Sequence, residues 1–169
     1  MKIDIKHLAL AAAGATMLLT SCIGDLDTLP LNPSDSTSET VYGKDENGYR
    51  AGLTKLYFNF VWNDTADLQF SDAGASALIR AFWTIQEVMA DACKCAWEND
   101  AWVRAMNTDT RSDADNDATY TVYVRTLQGI AYVNEYLRQT ASDKLSDRGV
   151  SSELAARIQS FRAEARFLR

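Results

Sequence analysis

One unbroken apolar run and four stretches of helical periodicity divide the chain. The run covers residues 8–19 and follows Lys2 and Lys6. At about a dozen residues it is too short to span a bilayer. Beyond a polar interval, Tyr49, Leu53, Leu56, Tyr57 and Phe60 recur every three or four positions, predicting a helix over about residues 45–61. Leu78, Ile79, Phe82, Ile85, Gln86 and Met89 predict a second over about 74–93. Tyr120, Tyr123, Val124, Leu127, Ile130, Ala131, Asn134 and Leu137 predict a third over about 118–139. Leu154, Ile158, Phe161, Ala165 and Leu168 predict a fourth from 152 onward, with Gly149 as a turn and Ser151 as its N-cap.

No alternating run of strand length appears, and each helical stripe needs a partner surface. The expected class is therefore all-α, with helices packed as hairpins. The third and fourth helices begin about one helical-hairpin repeat apart, as in a tetratricopeptide-like unit. The apolar period is still running at Arg169 with no stop residue after it. The fourth helix is accordingly expected to continue in a longer protein.

A basic start, a short apolar run and the small residues of Leu19-Thr20-Ser21-Cys22 have the layout of a secretory signal ending in a lipobox. The expectation is a signal over 1–21, cleavage before Cys22 and lipidation of its thiol. Acyl chains bury about 0.8 kcal/mol per methylene, so such an anchor is effectively permanent. Residues 22–40 hold both prolines and a Ser/Thr/Asp cluster, and read as a tether or extended arm. Residues 41–169 would be the incomplete helical domain.

Composition narrows the chemistry. The formal net charge is −6, and loss of Lys2, Lys6 and Asp4 with the signal makes it one unit more negative. With no basic run, nucleic acid is not an expected partner. The single histidine, His7, lies inside the signal. The mature segment then has no imidazole for a Ser-His-Asp set or a histidine-bearing zinc site, and no cofactor is expected. Cys93 and Cys95 have neither the spacing nor the second pair of a metal site, and read as packing residues. Asp113, Asp115, Asn116 and Asp117 mimic the opening of a calcium loop, but Ala118 stands where its glycine belongs and Val124 where its bidentate glutamate belongs. A solvated acidic loop is the expectation, with no metal.

Phe161-Arg162-Ala163-Glu164-Ala165-Arg166-Phe167-Leu168-Arg169 resembles the Glu-Ala-basic-Phe-Leu-Arg helix of the SusD/RagB family of Bacteroidetes outer-membrane lipoproteins. The lipobox, Asp25-Leu26-Asp27, Pro30, the Tyr57 helix, and Tyr123 followed by Ile130 and Asn134 agree in order and spacing. Gln86-Glu87-Val88-Met89-Ala90-Asp91-Ala92 resembles the family's Gln-Glu-x-x-Thr-Asp-Glu segment, with Ala90 and Ala92 replacing the Thr and the Glu. The resemblance implies a surface-exposed, lipid-anchored protein of the outer membrane. It would bind glycans, or less often other nutrients, for a SusC-like TonB-dependent transporter, without chemistry of its own. Two alternatives are a helical-repeat assembly scaffold and a glycoside hydrolase built on a carboxylate pair.

A sugar ring offers an apolar C–H face and a rim of hydroxyls, so its site needs aromatic faces beside polar groups. Trp97, Asn99 and Trp102 have that composition, and their place resembles the loop where starch-binding members of the family stack sugars. The alternative is that Trp97 and Trp102 close the core between two helices. Asp72 and Arg80 are further ligand-binding positions implied by the resemblance, the arginine through its planar fork. Asn134 is expected to be a buried structural residue, and Glu164 and Arg166 to hold helices together.

Overall fold

The computed structural model describes residues 32, 35–63, 73–108 and 115–169. Cys22, Asp72 and Asp113 lie outside the described residues. The chain divides into a unit of residues 1–37 and one of residues 38–169. The second unit carries seven helices among the described residues: α1 (Ser38–Val41), α2 (Glu46–Val61), α3 (Leu78–Met89), α4 (Ala101–Asn107), α5 (Asp117–Gln139), α6 (Ser142–Asp147) and α7 (Ser152–Leu168). A 3-10 turn, Ala73–Ser76, precedes α3. No strand occurs among the described residues, in keeping with the all-α expectation.

The helix starts follow local chemistry. Asp45 accepts from the Asn47 amide and opens α2, Asn116 accepts from the Ala118 amide and opens α5, and Ser151 accepts from the Leu154 amide and opens α7. Each satisfies a donor that the first turn leaves unpaired. Gly149, at φ 66°, ends α6 in the left-handed region. Its amide bonds the Ser146 carbonyl and the Val150 amide bonds that of Leu145, closing the helix end from outside.

The second predicted helix is shorter than its apolar period. It begins at Leu78, because Ala77 is extended, and it ends at Met89 rather than near 93. Asp91 there adopts φ 56°, its amide bonding Val88 while the Ala92 amide bonds Glu87. This is the closure seen at Gly149, made by an aspartate that tolerates the left-handed region. Cys93–Trp97 are thereby released into a loop. The segment 101–107, expected as loop, is the helix α4.

α2 and α5 each lie against both α3 and α7. Leu53, Leu56, Val133, Tyr136 and Ala165 form the core where α2, α5 and α7 meet. Tyr49, Leu145 and Ile158 form a second group. Tyr136 donates to the Tyr49 carbonyl at 3.0 Å, and Tyr49 donates to that of Gly43, so both rings are buried with their hydroxyls satisfied. On the other side Val88, Met106 and Ala118 join α3, α4 and α5, with Ile85, Met89, Cys93, Cys95 and Trp102 against them. The cysteines pack as expected, as free thiols.

The stripe of α5 departs from its expectation. Tyr120, Tyr123, Leu127, Ala131 and Asn134 are exposed. The packed face is Ala118, Thr121, Arg125, Gly129, Val133, Tyr136 and Thr140, which keeps helical spacing with small or polar side chains. Arg125 is only 2% exposed. Its Nε donates to the Ser76 carbonyl at 3.2 Å, Nη1 donates to Gln128, and its guanidinium lies over the Trp62 ring. A Cβ at Gly129 would sit 2.6 Å from Asn59 Nδ2, so the absent side chain lets α2 approach. On α3, Ile79 and Phe82 are exposed while Ala81, Thr84 and Val88 are buried. Small and β-branched residues sit in the crowded contact with α5.

The ends of the unit are stapled by arginines. Arg148 holds the Glu39 carboxylate through two 3.1 Å bonds and also donates to the Gln139 carbonyl and side-chain oxygen. Arg162 donates to the Leu137 carbonyl and to Thr140 Oγ1. Tyr57 donates to Glu164, so Glu164 ties α7 to α2 as expected.

Candidate functional site

Two hollows among the described residues are large enough to consider. One is an apolar cleft of about 240 Å³ between α2, α3 and α5, walled by Leu56, Phe60, Ile79, Phe82 and Ile130, among others. The other is a groove of about 410 Å³ lined by Arg80, Trp83, Thr84 and Val88 of α3, by residues 93–97 of the following loop, and by Trp102 of α4. A hydroxyl-rimmed ligand needs polar groups beside apolar faces; the groove sets three tryptophan rings beside Arg80 and Lys94, whereas the cleft has Phe60 and Phe82 with Arg169.

The groove forms because α3 stops early. After Asp91 the chain turns back along α3, and the loop is pinned from α4. Asn107 accepts from the Cys95 amide at 3.0 Å and donates to the Cys95 carbonyl at 2.8 Å. It also donates to Glu98 Oε1. Arg104 Nη1 donates to the carbonyls of Glu98 and Asn99 at 2.6 and 2.8 Å. The Asp100 amide bonds the Trp97 carbonyl, closing a turn at 3.2 Å. Backbone groups that a loop would give to water are thus held by two side chains of one short helix.

Trp97 is presented by that turn and is 54% exposed. The guanidinium of Arg80 lies 4.7 Å from the centre of its ring, within cation–π range. Trp83, one helical turn from Arg80, is equally exposed and lines the same groove. Trp102 is half-buried, packed against Ala75 and against the group of Val88, Met106 and Ala118 at the base, and Asn116 Nδ2 donates to its carbonyl. Two sequence expectations therefore separate: Trp97 is a surface ring, whereas Trp102 serves the core and offers the groove part of its face.

Of the five positions singled out in the sequence, Arg80, Trp97 and Trp102 come together in the groove. Asn99 is exposed beside it and does not line it. Trp83, which also lines the groove, is not among the positions that the sequence singles out. Its signal was its spacing of three from Arg80, which places both on one face.

Asn134, expected to be buried, is exposed on α5; the packed face runs through Val133 and Tyr136 instead. Arg166 is exposed as well. At the start of α5, burial first and the Asp100 carboxylate second raise the pKa of Asp117. Asn116 is spent on capping the helix. No three Cys, His, Asp or Glu side chains cluster as a metal site among the described residues, and no helix there is long and apolar enough to cross a membrane.

No family model matches the chain, and no solved structure matches it. It is 31% identical over 167 residues to the starch-binding protein SusD of Bacteroides thetaiotaomicron, an alignment covering 98% of this chain and 28% of that protein. The chain thus spans little more than a quarter of that relative's length.

Proposed function

The chain is a SusD-like protein, and from that premise we propose that it captures oligosaccharides in the groove between α3 and the loop following it. The observation that carries the reading is Trp97: a half-exposed ring on a turn fixed by Arg104 and Asn107, backed by Arg80 and facing a groove that also holds Trp83. An indole face covers the C–H face of a pyranose, and the arginine fork and loop amides meet the hydroxyl rim. Holding an aromatic ring exposed in water costs free energy that the core could have used, which fits a surface reserved for a ligand.

The proposal extends to placement. Lipidation at Cys22, supported by the lipobox, would anchor the mature chain to the outer membrane at the cell surface. The captured glycan would pass intact to a SusC-like TonB-dependent transporter. Binding, rather than chemistry, is supported by the relative being a starch-binding protein and by loss of the sole histidine with the signal.

Electrophoresis of full-length protein through gels cast with starch, fructan, xylan, mucin or pectin tests the reading. Retardation in at least one gel, reduced by Trp97→Ala, is the expected result. Unchanged mobility in all of them would refute it.

A further inference from the structure

We propose that Met89, Cys93, Cys95 and Met106 form an all-sulfur site for a soft monovalent cation, copper(I), at the base of the loop that follows α3. Met106, in the last turn of α4, is 2% exposed in the group it makes with Val88 and Ala118. Met89, at the end of α3, and the thiols of Cys93 and Cys95 pack against that same group. Every methionine and cysteine among the described residues is therefore gathered in one place, drawn there from two helices and a loop. The site is independent of the glycan reading.

Apolar packing asks only for side chains of the right volume, which leucine would supply in place of methionine. What sulfur adds is soft lone pairs, and a set of thiolates and thioethers selects copper(I) over the harder divalent ions. The backbone places the thiols for such a bridge. Residues 93–95 run without turn or bend, and Cys93 and Cys95 are half-buried while Lys94 between them is exposed. That alternation puts both thiols on one face. Two extended residues span about 6.6–7.2 Å, too far for the Cβ separation of about 3.8 Å that a disulfide requires. Two thiolates on one ion stand up to about 4.6 Å apart at metal–thiolate bond lengths near 2.3 Å, which rotation of the side chains can meet. Asn107 clamps the Cys95 amide and carbonyl, so the backbone resists the kink that a disulfide would need. Methionine, with three rotatable bonds, can swing its sulfur toward an ion without moving its helix. Cys93 and Cys95 also line the groove, which gives the ion a way in. Binding breaks two S–H bonds, forms two S–Cu bonds and releases two protons to water. The thioethers add lone pairs, and nothing is oxidised or reduced.

Competition against the coloured copper(I)–bicinchoninate complex, run without oxygen on the full-length protein with its thiols reduced, tests this. Wild type should withdraw one equivalent of copper that Cys93→Ser and Cys95→Ser each fail to withdraw. Met89→Leu and Met106→Leu, which keep the apolar volume, should each weaken copper affinity by at least about tenfold. Affinity should also fall as the pH is lowered, because protons compete for the thiolates. X-ray absorption on the copper-loaded wild type should show sulfur neighbours alone, a reading that depends on no variant folding. Copper left entirely with the bicinchoninate, an equivalent still withdrawn by both cysteine variants, or affinity unchanged in both methionine variants would overturn the site.

Discussion

The guanidinium of Arg80, on α3, lies 4.7 Å from the centre of the Trp97 ring, in the loop that returns beside that helix. The contact joins two segments that the early end of α3 brings face to face. It favours one orientation of the indole without burying it. A cation–π contact at an exposed site is worth about 0.5–1 kcal/mol, enough to bias a rotamer and too little to hold the fold. The ring keeps about half of its surface in water, 54% exposed.

Trp97 and Trp102 should therefore respond differently to truncation. Trp97→Ala removes a surface ring and should change unfolding free energy by less than about 1 kcal/mol while weakening glycan binding at least about tenfold. Trp102→Ala opens a hole between the Ala75 and Met106 groups and should cost about 2–4 kcal/mol. Denaturant melts and calorimetry on the two variants check the split; equal destabilisation would contradict it.

Asn107→Ala should loosen the loop without changing any side chain that lines the groove. It removes the partners of the Cys95 amide and of the Cys95 carbonyl, at about 1–3 kcal/mol if they go unsatisfied. Ligand affinity should fall although Arg80, Trp83 and Trp97 are all present. Asn107→Asp keeps the acceptor for the Cys95 amide and loses the donor, so it should recover part of the effect. Hydrogen exchange at the Cys95 amide reads the loop directly.

Gly48 and Gly43 make a matched pair. A Cβ at Gly48 would lie 1.8 Å from the Val41 carbonyl oxygen, whereas one at Gly43 meets nothing within 4 Å. Within a helix Gly→Ala ordinarily gains up to about 1 kcal/mol. Gly48→Ala should instead lose more than about 2 kcal/mol, because backbone atoms of α1 or α2 must move. Gly43→Ala should be close to neutral. Thermal unfolding of the two variants separates them.

Stability should fall in strong base. Burial first, and the Tyr42 hydroxyl second, raise the Tyr136 pKa above the ordinary tyrosine value near 10. The fold binds the neutral phenol, which donates to the Tyr49 carbonyl. Its stabilising effect is complete below pH about 10 and is lost as the pH rises above that value, where the unfolded chain ionises and the native state does not. Burial raises Tyr49 and Tyr42 in the same direction. Tyr136→Phe should lower stability at pH 8 by about 1 kcal/mol and flatten the decline above pH 10. An unchanged slope would contradict this.

The turn and cap before α7 were the most legible part of the fold. Ser151 and Gly149 act through bonds to near neighbours, and their residue types announce them. The end of α3 was not legible, because an aspartate took the left-handed place a glycine usually fills. Hydrophobic periodicity located α5 and misjudged its face. Arg125 is buried by bonds to Ser76 and Gln128 from distant or neighbouring turns, and Gly129 by the approach of Asn59, neither of which a scale of apolar residues can register. In the site, Trp97 and Arg80 were visible by composition and by family resemblance. Trp83 was hidden because an exposed and a buried tryptophan look alike in a helix until its neighbours are placed.

The most direct measurement is oxidative footprinting of the full-length protein by mass spectrometry, with and without an oligosaccharide of whichever polysaccharide retards it. Protection of Trp97 and Trp83, with no change at Tyr123, which is exposed on α5, is the predicted result. Binding that leaves Trp97 and Trp83 as reactive as in the free protein would contradict capture in this groove.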